Sequence, residues 1–365
     1  MKIVVVGGGI MGLATARGLA RRGVEVTLLE QGPLPNPKAS SWGEHRLIRT
    51  PYGAEVGYTR LVSDAFAAWD RLWEDLGESL YRPTGTLAFG SGAEDGWTSR
   101  SRATLERLGV PMEVLDGADL AARFPHLDFH EVRWGFHLTG GGALLCGRIC
   151  EAIAGWLADG RADVRANTAV ASVDLEAGEV RIASGERLVA DAVVVAAGPW
   201  TARLVDGMDA RIAPSRQVVT FAEPPPRFAE AWARSPMVID VGAAGFYAVP
   251  PVAGTRLKIG DHTFSRTGDP DGDREATEAE AAAVFDCARS RFVDFHDYRL
   301  IGRRTCFYTV EGDERFVVEP RGRGWVLAGF SGHGFKFGAW VGEQVAAALL
   351  GEVDAGELTR RAAGR

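Results

Sequence analysis

Apolar positions along this chain follow two rhythms, uninterrupted runs and helical recurrences. An apolar strand, Ile3 to Val6, runs into Gly7-x-Gly9-x-x-Gly12. Behind the glycines Leu13, Ala16, Leu19 and Ala20 recur on one face of a helix, and a second strand, Val24 to Leu29, ends at Glu30. From Ala54 to Leu76 the recurrence Tyr58, Leu61, Val62, Ala65, Phe66, Trp69, Leu72, Trp73, Leu76 predicts a long amphipathic helix. "RPTGTLAFGS", residues 82–91, predicts a strand after a turn, and the segment to about residue 140 is mixed and aromatic. Val193 to Ala196 predict a strand buried on both faces, ended by Gly198-Pro199. Between 213 and 312 strand-like runs alternate with one predicted helix, which begins at the capping box Thr277-x-x-Glu280. "GRGWVLAGFSGHGFKFGAWVGEQVAAALLG" then predicts strand, glycine-rich loop and helix.

Composition narrows the classes. A chain of 365 residues, 46% hydrophobic and 24% charged, has room for two domains and reads as an ordinary globular protein. The net charge of −7 and the short arginine clusters argue against a nucleic-acid surface. The apolar run before the first glycines spans only four residues, too short for a signal peptide. No stretch approaches the roughly 20 apolar residues of a membrane span, so the expectation is a cytoplasmic protein without membrane contact. Four cysteines, Cys146, Cys150, Cys287 and Cys306, are too few and too scattered for a disulfide framework. Cys146 and Cys150 read as core thiols on one face of a helix start. Asp269, Asp271, Asp273 and Glu280 imitate a calcium loop, but Arg274 stands where its glycine belongs and Pro270 precludes the turn. A solvated loop and no metal site are expected. Only four lysines occur, Lys2, Lys38, Lys258 and Lys336, which makes each worth inspecting.

The first segment carries the clearest chemistry. Gly7 allows a tight turn, Gly9 lets backbone amides approach a pyrophosphate, and Gly12 permits close helix–strand packing. The helix N-terminus favours phosphate charge. Glu30, 18 residues beyond Gly12, can accept hydrogen bonds from ribose hydroxyls and disfavours a 2′-phosphate. The expected ligand is FAD or NAD rather than NADP. The helix after "GFSGHGFKFG" could aim its N-terminus at a delocalised negative charge, such as that of a reduced flavin. In "GRRTCFYT" Cys306 stands beside Arg303 and Arg304, and nearby positive charge favours the nucleophilic thiolate. Either arginine could equally point to solvent.

The segments "VVVGGGIMGLATARGLARRG", "SSWGEHRLIRTPYG", "LKIGDHTF" with upstream "GFYAVPP", and "TCFYT…ERFVVEP…GFSGHGFKFG" resemble, in this order, the FAD-dependent D-amino-acid oxidase superfamily. The resemblance is to its monomeric sarcosine oxidase and N-methyltryptophan oxidase branch and spans nearly the whole chain. It implies an α/β fold (α+β overall). A Rossmann-like FAD-binding lobe would come from 1–82, 141–212 and 313–365. A substrate lobe on a mixed, largely antiparallel sheet would come from 83–140 and 213–312.

The resemblance also implies roles. Cys306 would join the flavin 8α-methyl as a thioether. Arg49 and Lys336 would grip a substrate carboxylate, with Arg46 and Lys258 close to the flavin and Lys258 associated with dioxygen reduction. Tyr247 and Tyr308 would line the substrate pocket, and His262 would match a histidine of the branch. Cofactor contacts would come from Gly7, Gly9, Ile10, Met11, Gly12, Glu30, Gln31, Ser41 and Arg46. Further contacts would come from Val170, Ala197, Gly198, Trp200, Cys306, Gly332, Gly334, Phe335 and Lys336. Where the branch usually carries Ser-His-Gly this chain has Ser41-Trp42-Gly43, which implies an indole beside the flavin face and among the substrate contacts.

Elementary chemistry suits these residue types. Oxidation of an amine to an imine leaves negative charge on a flavin, which basic groups stabilise. A guanidinium and an ammonium together can orient a carboxylate. Taken alone, each residue has a plainer use: surface ion pairs for Arg46 and Arg49, a snorkelling Lys258, helix-end contacts for Lys336, core packing for both tyrosines and His262. The expected activity is oxidation of a small secondary α-amino acid, sarcosine or similar, by a monomer that uses O₂ and releases H₂O₂. A proline, pipecolate or N-methyltryptophan-type oxidase, a dehydrogenase with another electron acceptor, and a non-catalytic flavin-binding subunit are the alternatives.

Overall fold

The computed structural model describes residues 1–90, 96–241 and 245–365. Its first sheet has six strands in the order Val317–Arg321, Gly324–Ala328, Ala192–Val195, Lys2–Val6, Glu25–Leu29, Asp163–Arg165. All neighbours run parallel except the Val317–Arg321 edge. The apolar runs are continuous because both faces of such a sheet are covered. Ile3 and Val5 pack among helices, whereas Val4 and Val6 pack under a three-stranded sheet that contributes Val180, Ile182 and Leu188.

Among the helices that close the first face are Ile10–Ala20, Val56–Leu76 and Gly338–Leu349. The second ends at Gly77, whose φ of +72° gives the left-handed cap that glycine adopts without strain. Arg17 is buried where they meet. It pairs with Asp75 and Glu343 and donates to the Arg71 carbonyl at 2.8 Å, so one guanidinium ties all three helices.

The second sheet has eight strands in the order Arg299–Glu311, Ile212–Glu223, Leu257–Asp261, Phe246–Val249, Met237–Asp240, Thr86–Gly90, Trp134–Leu138, Glu113–Asp116. Only Met237–Asp240 and Thr86–Gly90 run parallel, so the fold is mixed α/β with a largely antiparallel second sheet. The strand expected over 82–91 is Thr86–Gly90, and its last residue, Ser91, lies outside the described residues. The capping box forms as read: Thr277 Oγ accepts from Glu280 N at 3.2 Å and the Glu280 carboxylate accepts from Thr277 N at 2.7 Å.

One expectation needs correction. The region 213–312 holds a second helix, Pro226–Ala233, besides Glu278–Asp286. Its eight residues are too few for a helical recurrence to stand out, and only Trp232 is buried along it. The prolines before it mark its first turn, where a missing N–H costs nothing.

Candidate active site

The C-terminal ends of Lys2–Val6 and Ala192–Val195 converge on Gly7. Its φ is +109°, and a Cβ there would stand 2.4 Å from the Ala196 carbonyl oxygen. A Cβ on Gly12 would stand 1.9 Å from the Gly7 oxygen, so Gly12 shapes the turn from beneath rather than facing a ligand. The helix Ile10–Ala20 therefore opens its N-terminus onto a cavity of about 360 Å³. Gly7, Gly9, Ile10, Met11, Glu30, Gln31, Ser41, Arg46, Val170, Ala197, Gly198, Trp200, Gly332, Gly334 and Phe335 line it.

The donors around this cradle are partly committed. Ser41 Oγ accepts the Ile10 amide at 2.9 Å, which satisfies one orphan N–H of the helix. Glu30 is buried and accepts from Gly8 N at 2.7 Å, Gly32 N at 2.9 Å and Asn36 Nδ2 at 2.8 Å. The chain itself thus fixes the Glu30 carboxylate in place at the cavity wall. Asn36 had no recognisable signal in the sequence.

A single face of the eight-stranded sheet carries the chemistry. Cys306 pairs with Gln217, Tyr247 with Gly260, and Lys258 with Val249 and Phe221, and cross-strand partners share a face. Cys306 and Tyr308 lie two apart and point the same way. Gly332 makes room for Tyr308, since a Cβ there would stand 2.6 Å from the ring, and Tyr308 and Tyr247 line the same cavity. Cys306 is buried and lines neither cavity. Its Sγ is 3.8 Å from the Ser40 oxygen, and its charged neighbours include Arg46, Arg304, Arg274 and Lys258. Arg303, on the opposite face, donates to the Ala276 carbonyl at 2.7 Å and so stands away from Cys306.

Arg46 stands between two cavities and lines both. Its donors go to the carbonyls of His45 at 2.9 Å, Ser40 at 2.8 Å and Trp42 at 2.7 Å, not to surface acids. Trp42 contributes only that carbonyl. Its indole lies against Gly147 at the start of Cys146–Ala158 and lines neither cavity, contrary to the expected substrate contact. The turn at Gly43, φ +145°, carries the side chain to that side.

The second cavity, about 680 Å³, brings Arg49, Lys258, Tyr247, Tyr308, His262 and Lys336 together. Arg49 Cζ lies 4.5 Å from the Tyr52 ring centre and 5.3 Å from that of Trp97, and Arg49 donates to the Pro51 carbonyl. Lys336 Nζ lies 5.0 Å from the same Tyr52 ring and donates to its hydroxyl at 2.8 Å. Lys336 lines this cavity alone and not the cradle. Burial first, then Arg49, holds its ammonium well below the ordinary lysine range. Lys258 is buried with Nζ 3.5 Å from the His45 oxygen, and burial followed by Arg46 lowers it to about 7. His262 stands exposed at the cavity mouth, its ring centre 5.7 Å from Tyr247. Tyr52, Trp97 and His333 also line this cavity and were not singled out beforehand. Tyr52 and His333 sit inside segments already noted for their arginine and lysine; Trp97 gave no signal.

Elsewhere, Asp269 and Asp271, two acids of the calcium-like sequence, pair with Arg203. No helix among the described residues is long and apolar enough to cross a membrane.

Comparisons with known proteins agree with this geometry. A family profile described as FAD dependent oxidoreductase matches residues 2–348. Monomeric sarcosine oxidase of Bacillus sp. (strain B-0618) is 28% identical over 368 residues, covering 96% of this chain and 93% of that protein. N-methyl-L-tryptophan oxidase of Yersinia pestis (strain Pestoides F) is 24% identical over 351 residues, covering 94% and 93%. Among solved structures, L-proline dehydrogenase from P. horikoshii superposes with a TM-score of 0.83 at 22% identity, covering 97% and 94%. The glycine cradle that side chains would fill, the open helix N-terminus and the buried acid at Glu30 fit the FAD that the profile implies.

Proposed function

Because the chain belongs to the FAD dependent oxidoreductase family, we propose that it oxidises a small secondary α-amino acid, sarcosine or a similar N-methyl amino acid, and passes the electrons to dioxygen. The observation that carries this reading is the pairing of Arg49 and Lys336 around Tyr52. Both cations face one cavity, and neither has a carboxylate of this chain within ion-pair distance among the described residues. Buried cations without an acid are costly, and an incoming carboxylate offsets that cost. A guanidinium takes a carboxylate through two parallel N–H bonds, and an ammonium adds a point charge.

FAD, bound in the first cavity, supplies the two-electron acceptor. The substrate loses two electrons and two protons across a C–N bond. Water hydrolyses the imine to an aldehyde and a primary amino acid, and dioxygen ends as hydrogen peroxide. Tyr247 and Tyr308 form the aromatic wall that excludes water beside the reacting bond. Lys258 places a positive charge where dioxygen gains negative charge, which favours oxygen over another acceptor. Cys306, on the sheet face of Tyr308, would hold the flavin covalently. Membership of the two sheets supports a cofactor lobe from 1–82, 141–212 and 313–365 and a substrate lobe from 83–140 and 213–312.

A second reading, a bulkier or cyclic amino acid, is favoured by the size of the second cavity and its Trp97 and Phe264 walls. A panel of sarcosine, other N-alkyl amino acids, proline, pipecolate and N-methyltryptophan, scored by peroxide release, separates the two. Turnover that persists without oxygen on an artificial acceptor, with no peroxide in air, would overturn the oxidase assignment.

A further inference from the structure

We propose that His333 is a positioning residue for the carboxylate grip: through the Tyr52 hydroxyl it fixes the direction in which Lys336 presents its remaining N–H bonds. This rests on the reading of Arg49 and Lys336 as carboxylate ligands.

Three hydrogen bonds run in series. Lys336 Nζ to Tyr52 Oη is 2.8 Å, Tyr52 Oη to His333 Nδ1 is 3.2 Å, and His333 Nε2 to the Glu314 carbonyl is 3.3 Å. The two ends set the direction. A backbone carbonyl only accepts, so the His333 proton resides on Nε2 and Nδ1 is a bare acceptor. Tyr52 must then give its only hydrogen to Nδ1, which leaves its oxygen nothing but lone pairs for Lys336. An ammonium rotates about the Cε–Nζ bond, so fixing one N–H fixes the other two. Those two are the donors left for a ligand.

The surroundings hold the ring in this state. Phe316, Tyr58 and Tyr52 stand 4.5, 5.1 and 5.6 Å from it, centre to centre. Lys336, Arg49 and Arg315 act on it as cations, while Glu55, which pairs with Arg315, Asp313 and Glu314 line the same cavity. Burial first, then Lys336, keeps the imidazole well below its ordinary range and therefore neutral. A second proton would occupy Nδ1 and reverse the Tyr52 hydroxyl.

The test uses the full-length, FAD-loaded protein, with acetate as a non-oxidisable carboxylate and acetamide as its uncharged counterpart, both read by the change in flavin absorbance. His333→Leu is expected to weaken acetate binding and raise the sarcosine KM roughly tenfold, the scale of one hydrogen bond to a charged group, while kcat stays within about threefold. His333→Asn, whose Oδ1 restores an acceptor near the Nδ1 position, recovers most of the loss. Tyr52→Phe reproduces the leucine result and serves the comparison where His333→Leu does not fold. Asparagine no better than leucine, or a fall in kcat with acetate binding unchanged, overturns the role of His333. Wild-type protein that binds acetate no better than acetamide overturns the grip itself.

Discussion

The Lys258 ammonium stands 3.5 Å from the backbone oxygen of His45, an oxygen that already accepts Arg46 Nη1 at 2.9 Å. Lys258 thus shares its best acceptor with a permanent cation and is buried with it, and its charged form is correspondingly disfavoured. Its pKa of about 7, set by burial and then by Arg46, puts the charge change in the neutral range. The ammonium is present below that value and lost above it. Reoxidation of the reduced flavin by oxygen is expected to slow as pH rises through about 7. Lys258→Met should remove that pH step and slow reoxidation by roughly 100-fold, the scale of losing one preorganised charge, while flavin reduction changes little. Stopped-flow measurement of the two half-reactions checks this, and equal slowing of both contradicts it.

Arg49 and Lys336 are not interchangeable in the grip. Lys336→Met is expected to raise the sarcosine KM by roughly 10- to 100-fold, about 1.5–3 kcal/mol for one charged hydrogen bond. Arg49→Lys keeps the charge and loses the planar fork and its stacking on Tyr52 and Trp97, so it should also impair binding. Substrate saturation curves, with a carboxylate-free amine as control, read both. A variant as active on sarcosine as wild type would remove that residue from the site.

The tether assigned to Cys306 has a direct readout. Acid precipitation of the wild-type protein should carry the yellow chromophore into the pellet, and Cys306→Ala should leave it in the supernatant. Flavin freely released from wild type would refute the covalent link without touching the fold.

Arg17 carries a prediction about stability alone. Arg17→Leu leaves Glu343 and Asp75 without that partner at the junction of three helices, although Arg71 and Arg21 still reach them. Loss of one partner of a buried pair costs about 3–5 kcal/mol, and the surviving arginines place this case at the low end. Thermal unfolding should show a lowered midpoint with the flavin spectrum of the folded protein unchanged.

Much of the fold was legible because its signals are local. The strand, glycine turn and helix of residues 3–20 and the capping box at Thr277 are each written in a few adjacent residues. The helix Pro226–Ala233 was not, since eight residues give too short a period. In the site, Arg49, Lys258, Tyr247, Tyr308 and Lys336, which stand out by resemblance rather than by pattern, line one cavity. Trp42 departs from that likeness. Its position suggests the flavin face, but the left-handed turn at Gly43 sends the indole to Gly147. Trp42→Phe should therefore leave the sarcosine KM within about twofold, the usual scale for a substitution away from a binding site. Tyr52, Trp97 and His333 matter through what they touch, and contact between distant segments leaves no mark on either one.

The bond from Lys336 to Tyr52 joins residues 284 positions apart. On a ribosome, which delivers the chain from its N-terminus, the Gly7 turn and Arg49 are synthesised long before "GHGFK", which supplies both Lys336 and the Gly332, Gly334 and Phe335 lining of the cradle. The last strand of the first sheet, Gly324–Ala328, arrives just ahead of that lysine. Closing so long a loop is slow and entropically costly. The capacity to hold a substrate carboxylate therefore matures last, in the same stretch that closes the nucleotide cradle, so a nascent or truncated chain short of it has neither site complete.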